Sequence, residues 1–293
     1  MSKISSIGIP TFDQMSQPPS RKVLVIIGAG GMGLPLARRL GSGRHILLGD
    51  FSPTVLSAAL TTLHNEGHTA TSQTLDIASY TSVFSLAATA SALGPIAAII
   101  HTAGVAPGSA TAKQIFEINL LGTANVIQAF LPVVDAGTSL VCIASMAGSM
   151  VPLSSSLETH LATASLDTLL QHAEINVENE DPGMAYGMSK RGNQLRVQSA
   201  AKSWGRKGAR VNSVSPGIIS TALVQGQLAA PGGDRMREMI EGSAVGKIGT
   251  VGDVEGVVAF LVGEEAKFVT GVDLLVDGGG SGGMGVVRMG FGI

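Results

Sequence analysis

Residues Val25 to Ala37 read VIIGAGGMGLPLA, and Gly28, Gly30 and Gly33 stand in the spacing G-x-G-x-x-G between an apolar β-branched run and a helical pattern. A strand that turns at once into a helix needs backbone without Cβ atoms at the turn. Gly28 permits that turn, Gly30 lets backbone amides approach a pyrophosphate, and Gly33 lets the helix pack closely on the strand. The helix N-terminus adds free N–H groups and partial positive charge. The expectation is a dinucleotide loop formed by Gly28, Gly30, Gly31, Met32 and Gly33.

The pattern around the loop extends it into a fold. KVLVIIG, RHILLGD, TATSQTLD, IAAIIHTAG and TSLVCIAS alternate with helical segments, followed by ARVNSVS and VDLLVDGG. Alternating β and α segments predict an α/β fold, a doubly wound parallel β-sheet of Rossmann type covered on both faces. The predicted domain spans residues 21–280, preceded by an arm over 1–20 and followed by a glycine-rich tail over 281–293. Between Ser145 and Tyr186 the rhythm is broken by an insertion at about 151–183. There Ser156 and Ser165 are expected to cap two short helices before the turn-like ENEDPG, and a long helix is expected from about Ala185 to Trp204.

Composition narrows the partners. The formal charge is -2 and no Lys/Arg cluster is present, which leaves no footprint for nucleic acid. No apolar run reaches a membrane-spanning length without polar breaks. The one cysteine, Cys142, sits in an apolar run as a buried thiol and fits a reducing, cytoplasmic setting. With no second His or Cys at ligand spacing, no metal is assigned. Small molecules are the expected partners.

Asp50 ends the second strand at the distance where a carboxylate accepts hydrogen bonds from an adenosine ribose and repels a 2′-phosphate, which favours NAD over NADP. Locally, GAGGMGLPLARRL resembles the opening of the β-hydroxyacid dehydrogenases. That family has an all-helical second domain, whereas strand signals here continue to the C-terminus.

MAYGMSKRG places Tyr186 and Lys190 about one helical turn apart on one face. With Asp76 and Ile77 in TLDI, HTAG at 101–104, Asn119 in EINLLGT, Ser145 in IASMAG and SPGIIST at 215–221, the order of motifs resembles the short-chain dehydrogenase/reductase family, single-domain type. The resemblance covers nearly the whole chain from Val23 to Gly279. It implies a catalytic set of Asn119, Ser145, Tyr186 and Lys190. It also implies cofactor contacts at Asp76, Ile77, Ala103, Gly104, Pro216, Gly217, Ile219 and Thr221, besides the glycine loop, Asp50, Tyr186 and Lys190.

The implied chemistry has a physical basis. A phenol near pKa 10 is a poor base at neutrality, so Lys190 is expected to lower it electrostatically and to hold the nicotinamide ribose. Ser145 is expected to stabilise the substrate oxyanion, and Asn119 to bind a water that relays protons to Lys190. The expected activity is NAD-dependent interconversion of a secondary alcohol and a ketone. A silent NAD-binding regulatory protein, or a lyase or epimerase, is the alternative on the same scaffold. The resemblance further implies a homodimer or homotetramer.

Three features depart from the family pattern. The loop IGAGGMG is one residue shorter than T-G-x-x-x-G-x-G, His101 and Thr102 replace paired Asn residues, and the Ser145–Tyr186 interval is long. The insertion is therefore expected to overhang an apolar substrate pocket walled by Met146, Met150, Met184, Leu223 and Val224.

Overall fold

The computed structural model describes residues 21–230 and 233–283. The arm expected over 1–20, and the tail beyond residue 283, lie outside the described residues.

Seven strands, β1 (Val23–Ile27), β2 (His45–Asp50), β3 (Thr69–Thr74), β4 (Ile96–His101), β5 (Ser139–Ile143), β6 (Arg210–Pro216) and β7 (Asp273–Val276), form one sheet. Its order is β3-β2-β1-β4-β5-β6-β7, and every pairing is parallel. The central strands read as unbroken apolar runs because helices cover both faces: all five residues of β1 are buried. Edge strand β3, TATSQT, is mostly polar and largely unburied. Between β1 and β4 the chain reverses its direction of travel across the sheet. In open α/β sheets that switch point opens a crevice at the carboxyl ends of the strands.

Local chemistry sets the helix starts. Ser52 caps Pro53–Asn65, accepting from the Val55 N–H with Pro53 in the first turn. Asp181 caps the helix Pro182–Gly205 by accepting from the Met184 N–H at 2.9 Å. The helix thus begins three residues before the expected Ala185. Asp-Pro, read from sequence as part of a turn, is instead a cap followed by a proline that has no N–H to leave unpaired.

A second helical stretch runs from Ala112 to Val133 and contains a π-helical segment at Phe116–Leu121. By length and composition it could cross a membrane, but 67% of its most apolar window is buried within the protein. It is a core helix. Its first part packs Ile115, Phe116 and Leu120 into one apolar cluster, and its later part packs Val126, Ile127 and Phe130 against the sheet.

The insertion departs from expectation. One helix forms, Ser155–Thr163, and its cap is Ser154, which accepts from the Leu157 N–H at 3.1 Å. Ser165 opens a turn rather than a helix, its carbonyl accepting from the Thr168 N–H. Leu157, Leu161, Leu169 and Ile175 bury themselves against Phe116, Leu120, Ala185 and Met188. Burial of four large apolar side chains holds the insertion to the flank of two helices, and of its residues only Gly183, at its end, reaches the cleft lined by Ser145 and Tyr186.

Candidate active site

At the switch point the glycine turn is built as its spacing requires. Gly28 has φ +95°, and a Cβ there would lie 2.6 Å from the Ala103 nitrogen. A Cβ on Gly33 would lie 1.7 Å from the Gly28 carbonyl oxygen. Above Gly30 nothing lies within 4 Å of that position, so the backbone there faces open space. Thr102 fastens the turn to the end of β4, its hydroxyl donating to the carbonyl of Gly28 (2.8 Å) and lying 3.2 Å from that of Ile27. Thr102 stands where the family pattern carries the second of its paired Asn residues.

Gly28, Gly30, Gly31, Met32, Asp50, Asp76, Ile77, Ala103, Gly104 and Thr221 line one cleft of about 540 Å³. Gly33 does not reach it and acts through close packing beneath it. The Asp50 carboxylate accepts from the Ala29 N–H (2.8 Å) with Oδ2 and from the Ser52 N–H (2.9 Å) with Oδ1. Each oxygen retains an unused lone pair, and the residue lines the cleft. Phe51, 75% exposed, stands beside it on the cleft wall. Sequence reasoning missed this residue; its only signal was an aromatic side chain placed directly after Asp50.

A second cleft of about 500 Å³ is lined by Ser145, Tyr186, Lys190, Pro216, Gly217, Ile219 and Thr221. It shares Met32, Thr102, Gly104, Val105 and Thr221 with the first, so the two are adjoining halves of one groove. The Lys190 Nζ donates to the Ile143 carbonyl at 2.9 Å and lies 5.6 Å from the Tyr186 ring centroid. Burial pushes the Lys190 ammonium down to about 8. Burial also raises the Tyr186 phenol, opposed by the hydrogen bond with Ser145. The lowering expected from Lys190 is therefore not the dominant effect in this geometry.

Asn119 sits behind Gly104 and lines neither cleft. A Cβ on Gly104 would lie 3.0 Å from Asn119 Oδ1 and 3.8 Å from Lys190 Nζ. Its amide holds Val105 twice: Oδ1 accepts from the Val105 N–H (2.9 Å) and Nδ2 donates to the Val105 carbonyl (2.8 Å). One amide hydrogen and one lone pair are left for any other partner. The residue lies in the π-helical segment, a geometry that recurs at functional sites.

Behind it, the Thr123 hydroxyl donates to the Asn119 carbonyl (2.7 Å) and lies 3.0 Å from His101 Nε2. With its own hydrogen committed, Thr123 must accept from His101, which assigns the Nε2–H tautomer. His101 is 2% exposed, and burial, aided by Lys190, pushes it down to about 3. Its folded pKa is depressed, so the unfolded chain takes up the proton first. Stability is full above about 6.5 and is lost as the pH falls toward 3. From pH 6.5 to 5 the expected loss is roughly 2 kcal/mol. Urea melts at the two values, repeated on His101→Asn, should show the loss in the parent and a clearly smaller one in the variant; equal losses would assign it to other groups.

The expected pocket walls divide. Met146, Met150 and Val224 line the second cleft. Met184 does not: two residues before Tyr186, it points to the other side of the helix and packs with the insertion. The side chain of Leu223 lies outside the described residues. Gln227, Arg235, Met236 and Met239 also line this wall and were missed; the last three lie in DRMREMIE, whose polar spacing reads as a surface helix. Cys142 is buried, its thiol pushed up to about 12, and it is inert. Among the described residues no cluster of His, Cys, Asp and Glu is arranged to hold a metal ion.

A parallel sheet with a glycine-turn cleft at its switch point and a Ser–Tyr–Lys cleft beside it defines a dinucleotide-dependent class of protein. The family profile described as "short chain dehydrogenase" matches residues 22–157, and that described as "Enoyl-(Acyl carrier protein) reductase" matches residues 162–281. The chain belongs to the short-chain dehydrogenase/reductase family, an oxidoreductase family whose members typically bind NAD(P). It is similar to the short-chain dehydrogenase/reductase bsc3 of Alternaria brassicicola, 38% identical over 89% of this chain and 96% of the relative. It is also similar to a 3-alpha-hydroxysteroid dehydrogenase/carbonyl reductase of Comamonas testosteroni, 27% identical over 62% of this chain and 71% of the relative. A short-chain type dehydrogenase/reductase structure from Mycobacterium ulcerans shares the fold, with TM-score 0.70 and 24% identity over 89% of this chain and 90% of that one.

Proposed function

We propose that this chain is an NAD(H)-dependent oxidoreductase that interconverts a secondary alcohol and a ketone on a largely apolar small molecule, with Tyr186 as general acid and base. The observation that carries the reading is that Ser145, Tyr186 and Lys190 face one groove with the glycine turn and Asp50. The residues fit the cofactor. Gly30 opens toward the cleft where a pyrophosphate needs backbone contact, and the Asp50 carboxylate has unused lone pairs for an adenosine ribose and disfavours a 2′-phosphate. Asp76 and Ile77 flank the adenine end, and Ala103, Gly104, Pro216, Gly217, Ile219 and Thr221 the nicotinamide end. When bound, the nicotinamide supplies or accepts the hydride.

The chain's own residues handle the proton. Ser145 donates a hydrogen bond to the substrate oxygen and stabilises its developing charge, and Tyr186 exchanges the proton with that oxygen. Lys190, its ammonium 5.6 Å from the phenol ring centroid, supplies positive charge and holds the ribose hydroxyls. Asn119 acts by fixing Val105 and Gly104 in the groove floor, and its remaining amide hydrogen and lone pair are where a relaying water would bind. We assign the chain to the cytoplasm as a homodimer or homotetramer.

The raised Tyr186 phenol and the lowered Lys190 ammonium set the pH dependence. Ketone reduction needs the protonated phenol and the charged Lys190, whose ammonium is pushed down to about 8, so its rate is expected to stay level from about pH 6 to 7 and to fall through the alkaline range. Alcohol oxidation needs the phenolate and should climb between about pH 6 and 8. Initial rates in both directions test this; a reduction rate that climbs as the pH rises from about 6 to 8 contradicts the assignment of Tyr186. The deciding experiment is a mass measurement of co-purified nucleotide followed by NADH oxidation against a carbonyl panel. Nucleotide binding with no turnover on any carbonyl would favour a regulatory protein.

A further inference from the structure

Adjoining the reaction cleft is a third, rear cavity of about 300 Å³ that the chemistry above does not use. It shares Met146, Gly217, Ile218, Ile219 and Met239 with the reaction cleft of about 500 Å³. These residues are a partition. The helix Gly233–Glu241 spans it: Met236 lines the reaction cleft, Ile240 lines the rear cavity, and Met239 lines both. Spacings of three and four residues place the three side chains on one helical face.

The rear cavity has a hydrocarbon side and a polar side. Ile240, Val245, Ile248 and Val276 contribute its hydrocarbon walls. Its carboxylates and hydroxyl make local contacts within their own turns. Asp253 accepts from the Thr250 N–H and hydroxyl (2.7 and 2.8 Å), Asp277 accepts from the N–H groups of Gly279 and Ser281 (2.9 and 2.7 Å), and Ser243 donates to the Ile240 carbonyl (2.7 Å). Lys247 stands exposed at the rim. The carboxylates keep lone pairs, as Asp50 does, and a ligand portion seated against the four aliphatic side chains gains by burying apolar surface.

We propose that the substrate is an elongated hydrophobic carbonyl compound or its alcohol, whose reacting carbon sits at Ser145 and Tyr186 and whose far end passes Met146 and Met239 into the rear cavity. This rests on the oxidoreductase reading. The unbranched thioether side chains of Met146 and Met239 suit a partition that gives way, because methionine fills irregular gaps in several rotamers. In this reading a single ring held at Ser145 and Tyr186 leaves the rear cavity unfilled, whereas an elongated fused skeleton of three or four rings extends into it. The two cavities together fall within the range of small-molecule sites.

The test uses 4-methylcyclohexanone and the four-ring ketone 5α-androstan-3-one as probes, with NADH. The parent protein is expected to reduce the larger ketone with a kcat/KM at least about tenfold higher. Ile248→Trp and Val245→Trp fill the rear cavity alone, and Val245 is 56% exposed, so the fold tolerates the larger side chain there. Each variant should lower kcat/KM for the larger ketone by roughly tenfold and leave the smaller within about twofold. Equal loss for both ketones, or none for either, overturns the proposal while leaving the reaction intact. Equilibrium binding of the four-ring ketone to the nucleotide complex separates the other failure. Binding that the Trp variants weaken, without turnover of any ketone, supports the rear cavity and removes the reaction; binding that they leave unchanged overturns the cavity assignment.

Discussion

Tyr186→Phe is expected to reduce turnover about a thousandfold or more while NADH affinity stays within about twofold. Positioned proton transfer contributes roughly a hundredfold to ten-thousandfold, and the substitution removes the one hydroxyl that can exchange a proton with the substrate oxygen in this reading. The ring remains, so its packing and the spacing from Lys190 are preserved. Ser145 keeps its own contact, accepting from the Ala147 N–H at 3.2 Å. Steady-state rates with fluorescence titration of NADH give both numbers. A variant that retains a tenth of the parent rate would show that another group moves the proton, and the assignment of Tyr186 would fall.

Asp50→Ser is expected to lower kcat/KM for NADH by roughly tenfold to a hundredfold, in keeping with the loss of a charged hydrogen bond, and to raise that for NADPH by removing the negative charge. The change also reaches the glycine turn, since the Ala29 N–H bonds to the same carboxylate. Asp50→Asn separates the two effects: it keeps an acceptor for one backbone N–H while removing the charge. If the parent already prefers NADPH, or if both variants lose the two nucleotides equally, Asp50 serves the turn alone.

Much of this molecule was legible because its signals are local. The G-x-G-x-x-G turn, the β-branched runs and the Tyr186–Lys190 spacing each fix backbone or facing within a few residues, and the strand alternation then determines a parallel sheet. What stayed hidden depends on contacts far apart in the chain. The insertion was expected over the pocket because both its ends are there, yet Leu157, Leu161, Leu169 and Ile175 find their apolar partners on the flank of two helices. Met184 was placed by proximity to Tyr186, although a two-residue step on a helix turns a side chain to the other side. Met236 and Met239 escaped because charged neighbours mask their face, and only the seating of their helix over the groove gives them a role.

The π-helical segment at Phe116–Leu121 has a consequence for how this chain tolerates change in length. A π turn holds about one more residue than an α turn, and each residue of an α-helix advances the facing by about 100°. The extra residue shifts the phase of everything after it. Ile115, Phe116 and Leu120 meet the cluster beneath the insertion, while Val126, Ile127 and Phe130 meet the sheet. Removing a single residue from this turn would act as a rotation rather than a shortening, swinging Asn119 and the sheet-facing side chains out of step with one another. Length within this one turn is a setting of angle, held by the two cores that the helix must satisfy together.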